Sequence, residues 1–259
     1  MLASGSSGNS IYVSCGPTRI LIDLGIPYKT LVNDLSSLNV DPEDTDAILI
    51  THEHSDHISG LAGFASRHEI PIYASQGTAG ALLSNGYGHL EPLIRPFSAL
   101  GSSFSIGALD IMPFGIPHDA ADPVGFRINA HGIRIGIATD IGHVTPAVRD
   151  GLTDCDLFVV ESNHDVGMLM SGNYPWPLKR RIRGGLGHLS NEESGELLSS
   201  VVTSRTRQVF LAHISEHNNL PELALLTAIA ATKRRGVAAR EDLKIGLTYH
   251  HRMTSPIAL

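Results

Sequence analysis

This chain of 259 residues encodes an α/β fold with two sheets covered by helices. Three observations predict it. Short β-rich runs bounded by turn residues recur through the first half, stretches with apolar residues at helical spacing lie between them, and strands and helices alternate in the second half. The predicted strands are Ser10 to Ser14, Arg19 to Asp23, Ala47 to Thr51, Pro71 to Ala74, Leu109 to Phe114, Gly125 to Asn129, Ile133 to Ala138, Leu157 to Val160, Gln208 to Ala212 and a last one near Leu243 to Tyr249. Helical patterns cover Tyr28 to Leu38, Ile58 to Arg67, Asn191 to Val202 and Pro221 to Lys233.

In the last helix Leu223, Leu225, Leu226 and Ile229 form a stripe at helical spacing, which predicts core packing. The single Gly/Ser cluster, Ser4-Gly5-Ser6-Ser7-Gly8-Asn9-Ser10, precedes a strand and reads as a tight turn. Such a turn can also present backbone N–H groups to an anion. No linker, internal repeat or low-complexity segment divides the chain.

An apolar share of 42% and a charged share of 17% describe a globule with ample core. The net charge of −7 argues against general polyanion binding, so a nucleic-acid role needs a local basic patch. One exists: Lys179, Arg180, Arg181 and Arg183, next to Tyr174 and Trp176. It reads either as a groove for a phosphate backbone, with an aromatic to stack on a frayed base, or as a solvated helix face. No segment approaches the roughly 18 apolar residues of a membrane span, and the start lacks a basic region followed by an apolar stretch. A cytoplasmic protein without membrane insertion is expected. Two cysteines, Cys15 and Cys155, are too few for a disulfide scaffold and read as buried free thiols.

His52-Glu53-His54-Ser55-Asp56-His57 is the chain's strongest chemical signal. It follows the apolar run Ala47 to Ile50, so its ligands would be fixed by a sheet yet open to solvent. Residues two apart in an extended segment share a side, so His52 and His54 can grip one ion while Glu53 points away. Asp56 and His57, at an apparent helix start, can grip a second. Imidazole with carboxylate suits Zn²⁺, Mn²⁺ or Fe²⁺.

Six residues cannot complete two coordination shells, and further candidates stand at later strand ends. His118 follows Ile111 to Ile116, Asp140 follows Ile133 to Thr139, and His213 follows Val209 to Ala212. Each alone serves equally well as a capping residue, but their repeated placement after apolar strands favours a site. Asp23, ending Ile20-Leu21-Ile22, fits a carboxylate that orients an imidazole N–H.

With Asp23, the His-x-His-x-Asp-His run, His118, Asp140 and His213 in order, the chain resembles the metallo-β-lactamase superfamily over almost its whole length. The resemblance implies a single hydrolase domain over residues 1–259, a four-layer αββα sandwich with the site at one edge between the sheets. It implies that His52, His54 and His118 hold the first metal and Asp56, His57 and His213 the second, with Asp140 bridging. Flavodiiron redox members carry Glu where this chain has His54, which favours hydrolysis here. Five further blocks, Met1 to Ser10, Glu161 to Asp165, Tyr174 to Ile182, Gly187 to Asn191 and Leu211 to Ser215, resemble the YycJ/WalJ-like nuclease group. That group is associated with 5′-to-3′ exonuclease action on double-stranded DNA and with a cell-wall two-component signalling locus.

Two cations a few Å apart can hold a bridging hydroxide and stabilise a phosphorane-like transition state, chemistry suited to phosphodiesters. Asp56 or Asp140 would accept the proton of the nucleophilic water. For the acid that protonates the leaving alkoxide the first candidate is His188, whose surroundings resemble a block of the tRNA 3′-processing endonucleases, and the second is His164; either can instead make a structural hydrogen bond. A small-molecule phosphodiesterase and a regulatory partner in cell-wall signalling are the competing readings. Thioester or lactam hydrolysis is a weaker one.

Overall fold

The computed structural model describes residues 1–98, 102–234 and 243–259. The chain forms two compact units, one of Met1–Pro113, Ala120–Val124 and Tyr249–Ala258, the other of Phe114–Asp119, Gly125–Thr248 and Leu259.

In the first unit β1 (Ile11–Cys15) and β2 (Thr18–Ile22) form an antiparallel hairpin that turns through Gly16, whose φ of 57° suits a residue without Cβ. Parallel pairing then adds β3 (Ala47–Leu49), β4 (Ile72–Ser75) and β5 (Ile94–Phe97) in sequence order. Ile20 to Ile22 and Ala47 to Leu49 are wholly buried, as continuous apolar runs in parallel strands should be. Leu21 and Ile48, on one face of the sheet, share a core with Leu31 and Leu35 of α1 (Tyr28–Ser37) and Leu61, Phe64 and Ala65 of α3 (Leu61–His68). The expected helix from Ile58 to Arg67 is in fact α2 (Ser55–Ile58) followed by α3. Helix α4 (Gln76–Leu82) escaped notice because Gly77 and Gly80 dilute its pattern; the Ser75 hydroxyl caps it by accepting the Thr78 N–H at 3.3 Å. Strands β6 (Phe104–Ile106) and β7 (Leu109–Gly115) form a second hairpin.

In the second unit β8 (Val124–Ala130) pairs antiparallel with β9 (Ile133–Ala138). Parallel pairing continues through β10 (Leu157–Glu161), β11 (Gln208–Ala212) and β12 (Lys244–Leu247). Helices α5 (Pro146–Leu152), α6 (Val166–Ser171), α7 (Trp176–Ile182), α8 (Asn191–Val201) and α9 (Pro221–Arg234) connect these strands.

The leucine stripe on α9 is corrected. Leu226 is 63% exposed, whereas Ala224, Ala228 and Thr232 are buried. Small residues win that face because α8 and α9 lie close together: a Cβ on Gly195 of α8 would come within 2.8 Å of the Ala231 Cβ. Cys155 is buried as expected, but Cys15 is only partly so. Among the described residues no helix is long and apolar enough to cross a membrane.

Candidate metal centre

The site residues of the first unit stand at the ends of parallel strands. Asp23 directly follows β2 in the left-handed region (φ 58°), where its amide donates to the Leu49 carbonyl at 2.9 Å. Its carboxylate accepts the Thr51 amide and the Thr51 hydroxyl, each at 2.8 Å, and His57 Nδ1–H at 2.7 Å. The predicted orienting role of Asp23 therefore falls on His57, whose ring is wholly buried. His52 directs Nδ1 to the Thr51 hydroxyl at 3.0 Å. The His52 ring centre lies 4.7 Å from that of His54 and 4.1 Å from that of His57. Glu53 turns elsewhere, accepting the Ala121 amide at 2.7 Å. Asp56 lies in the first turn of α2 beside His57, at 3.4 Å from Nε2.

Asn9 ties the N-terminal Gly/Ser segment to this group. Its backbone N–H donates to the Asp56 carbonyl at 2.8 Å, and its side-chain nitrogen lies 3.2 Å from the Asp56 carboxylate and 3.1 Å from His57 Nε2.

The second unit repeats the plan. Asp140 follows β9 at φ 59°, and His213 follows β11 at φ 52°. Holding L residues there costs roughly 1 kcal/mol each, and strain of this kind clusters at functional sites. Glu161, the last residue of β10, is completely buried between them. Its carboxylate accepts five N–H groups: the amides of Asp140 (3.2 Å), Ile141 (2.9 Å) and Leu189 (2.9 Å), and Nδ1 of His188 and of His213, both at 2.9 Å. Burial alone would raise this carboxyl; the charge of His188 and the hydrogen bonds from His188 and His213 bring it well below the usual carboxylate range. Asp140, Glu161, His188 and His213 each offer a ligand atom within 4.8 Å of the others. His118 donates Nδ1–H to the Gly187 carbonyl at 3.1 Å, and its ring centre is 5.2 Å from that of His188. Burial lowers the His118 pKa, with Asp140 opposing the effect.

Glu161 was missed as a site residue by sequence reasoning, although it ends an apolar strand as Asp140 and His213 do. A buried amide network explains why its neighbourhood reads as blocks: Ser162 donates to Asn191 (2.8 Å), Asn191 to Asn219 (2.8 Å), and Asn163 to the His213 carbonyl (2.9 Å). His164 sits behind this layer, 1% exposed, with Nδ1 lacking a hydrogen-bond partner; burial pushes its pKa down to about 4.

Four imidazoles thus share one arrangement. His52, His57, His118 and His213 each commit Nδ1 to an internal oxygen, which favours the tautomer whose unprotonated Nε2 can ligate a cation. Together with Asp56 and Asp140 these donors fit borderline or hard divalent ions in each unit taken alone.

The basic run divides. Lys179 is buried, and its ammonium donates to the carbonyls of Met170 and Gly172, both at 2.7 Å, so the expectation that it touches a nucleic-acid backbone is corrected: it holds the α6–α7 connection. Arg181 pairs with Asp119 at 2.6 Å. Arg180 and Arg183 are exposed, and with the 55% exposed Trp176 they follow helical spacing of four and three residues along one face of α7.

The β-lactamase superfamily domain model matches residues 18–214. This chain belongs to that superfamily, in its WalJ/YycJ group. The exodeoxyribonuclease WalJ of Streptococcus pneumoniae serotype 2 is 37% identical over 257 residues, covering 99% of this chain and 93% of that protein. The exodeoxyribonuclease YycJ of Bacillus anthracis is 34% identical over 245 residues, covering 95% and 92%. Among solved structures, the metallo-β-lactamase fold protein YhfI of Bacillus subtilis aligns over 95% of this chain and 94% of its own with a TM-score of 0.70 at 14% identity, which shows the shared fold. The α/β fold class read from the sequence therefore stands, and the WalJ/YycJ-type chain is a metal-dependent hydrolase.

Proposed function

We propose that this chain is a dinuclear metal-dependent phosphodiesterase, a 5′-to-3′ exonuclease on double-stranded DNA acting in the cytoplasm as one hydrolase domain. The family match runs through both units, and the relatives matched over nearly full length are named exodeoxyribonucleases. The ligand grouping follows the family resemblance: His52, His54 and His118 for one ion, Asp56, His57 and His213 for the other, Asp140 shared, with Zn²⁺ or Mn²⁺ favoured over Fe²⁺. Bound ions would lower the pKa of water and neutralise charge on the phosphoryl group.

The Glu161 network carries the mechanistic reading. By holding His213 and His188 through Nδ1, one carboxylate prepares a cation ligand and orients a second, part-exposed imidazole. Asp56 or Asp140 takes the proton of the attacking water, and His188 gives a proton to the departing alkoxide. His188, part-exposed, suits that role better than the buried His164. Arg180 and Arg183 supply fixed charge for the DNA backbone and Trp176 a stacking surface.

The experiment incubates the protein and Asp56→Ala with Mn²⁺ or Zn²⁺ and 5′-phosphorylated linear duplexes, beside bis-p-nitrophenyl phosphate. Duplex shortening from the 5′ end, lost in the variant, is the expected result. Turnover of the small diester without DNA loss would replace the reading with small-molecule phosphodiesterase activity. A regulatory link to cell-wall signalling is compatible with either outcome and requires a partner pull-down from bacteria carrying that locus.

A further inference from the structure

The Gly/Ser segment and the C-terminal segment of the first unit meet outside the ligand set. Gly8 donates its amide to the Gly5 carbonyl at 3.0 Å, closing a turn with Ser6 and Ser7 at its centre. Both serines are exposed, and among the described residues their amides make no hydrogen bond. The His250 ring lies against the turn: a Cβ on Gly5 would fall 1.9 Å from it, and the Ser7 hydroxyl is 3.4 Å from His250 Nδ1. Gly5, at φ 144°, is therefore required both by its backbone and by the imidazole beside it. His251 and Arg252 follow, both exposed, and the guanidinium is held over the Tyr249 ring at 3.8 Å.

The turn is anchored to the metal ligands by one residue. Asn9 accepts the Gly5 amide at 2.9 Å, donates to the Gly5 carbonyl at 3.0 Å, and reaches Asp56 and His57 from the same side chain. Two amides, two hydroxyls, an imidazole and a guanidinium make a donor set suited to a phosphate, since each can offer a hydrogen to an anion and two can carry charge. The Asp56 carboxylate accepts from the Asn9 side chain at 3.2 Å.

We propose that Ser6, Ser7, His250 and Arg252 form a phosphate subsite that grips the substrate strand beside Asp56 and His57. The proposal rests on the nuclease reading above and deepens it. The ligand is a nucleic-acid phosphate, either a 5′-terminal monoester or an internal diester.

The test measures binding by fluorescence anisotropy to a duplex with terminal phosphorothioate linkages that resist hydrolysis, bearing either a 5′-phosphate or a 5′-hydroxyl. It compares the metal-loaded protein with Ser7→Ala, His250→Gln and Arg252→Gln. Each variant should bind about tenfold more weakly, with the slope of log K against log salt reduced by about one for Arg252→Gln. Turnover of bis-p-nitrophenyl phosphate should stay within about twofold, which excludes misfolding as the cause. A loss confined to the 5′-phosphorylated duplex identifies the terminal monoester, and an equal loss on both identifies the internal diester. Unchanged affinity in all three variants, with wild-type protein still shortening DNA, overturns the subsite alone. Absence of duplex binding by the wild type overturns the nuclease reading and the subsite with it.

Discussion

Replacing Glu161 by Gln keeps size and shape but turns one acceptor oxygen into a donor where only donors point. In one orientation the amide nitrogen would face the Asp140 N–H and both imidazole N–H groups, in the other the Ile141 and Leu189 amides. At least two buried hydrogen bonds are lost either way, and each stranded donor costs about 1 to 3 kcal/mol. A loss of about 3 to 5 kcal/mol follows, which for a domain of this size lowers Tm by about 10 °C. Thermal unfolding of the metal-free protein followed by circular dichroism measures it without interference from ion binding. A second readout is zinc content after dialysis, which should fall because His213 is no longer held in the tautomer that offers Nε2. A Glu161→Gln protein melting within 2 °C of wild type would falsify the five-donor account.

His164 makes stability depend on pH: its neutral ring is held at a pKa of about 4 against an ordinary 6.5, so the unfolded chain binds the extra proton and stability falls as pH drops from about 6.5 to 4. The full effect is about 3 kcal/mol, and His164→Gln should flatten urea-midpoint curves across that window; parallel curves would reject the assignment. Lys179→Met should destabilise by about 2 kcal/mol, by stranding the Met170 and Gly172 carbonyls, while duplex affinity at a temperature where it is folded stays unchanged. Arg180→Ala with Arg183→Ala should instead leave Tm within about 1 °C and reduce the salt slope of duplex binding by about two, a result that equal slopes would contradict.

The strands were legible because parallel sheets bury both faces: Ile20 to Ile22 and Leu157 to Val160 have no polar member to confuse the reading. The seven ligand candidates were legible for a related reason, since a His or Asp that ends such a run stands out. Glu161 obeys the same rule and was passed over because its meaning lies in donors drawn from residues 140, 141, 188, 189 and 213, which no local pattern connects. On α9 leucines outweighed alanines in the periodicity, yet the tight approach of Gly195 on α8 gave the buried face to Ala224 and Ala228. Lys179 looked like one of four equivalent cations, and only the α6–α7 connection separates it from Arg180.

Asp23, Asp140 and His213 all sit at positive φ, where glycine would rest without strain. Glycine there would release roughly 1 kcal/mol of strain at each place, yet at Asp23 it would strand three buried donors and at His213 remove a partner of Glu161, a larger loss. Selection for heat tolerance alone would therefore keep the same side chains that turnover needs, and a library screened for both traits should seek its improvements on the outer faces of the helices.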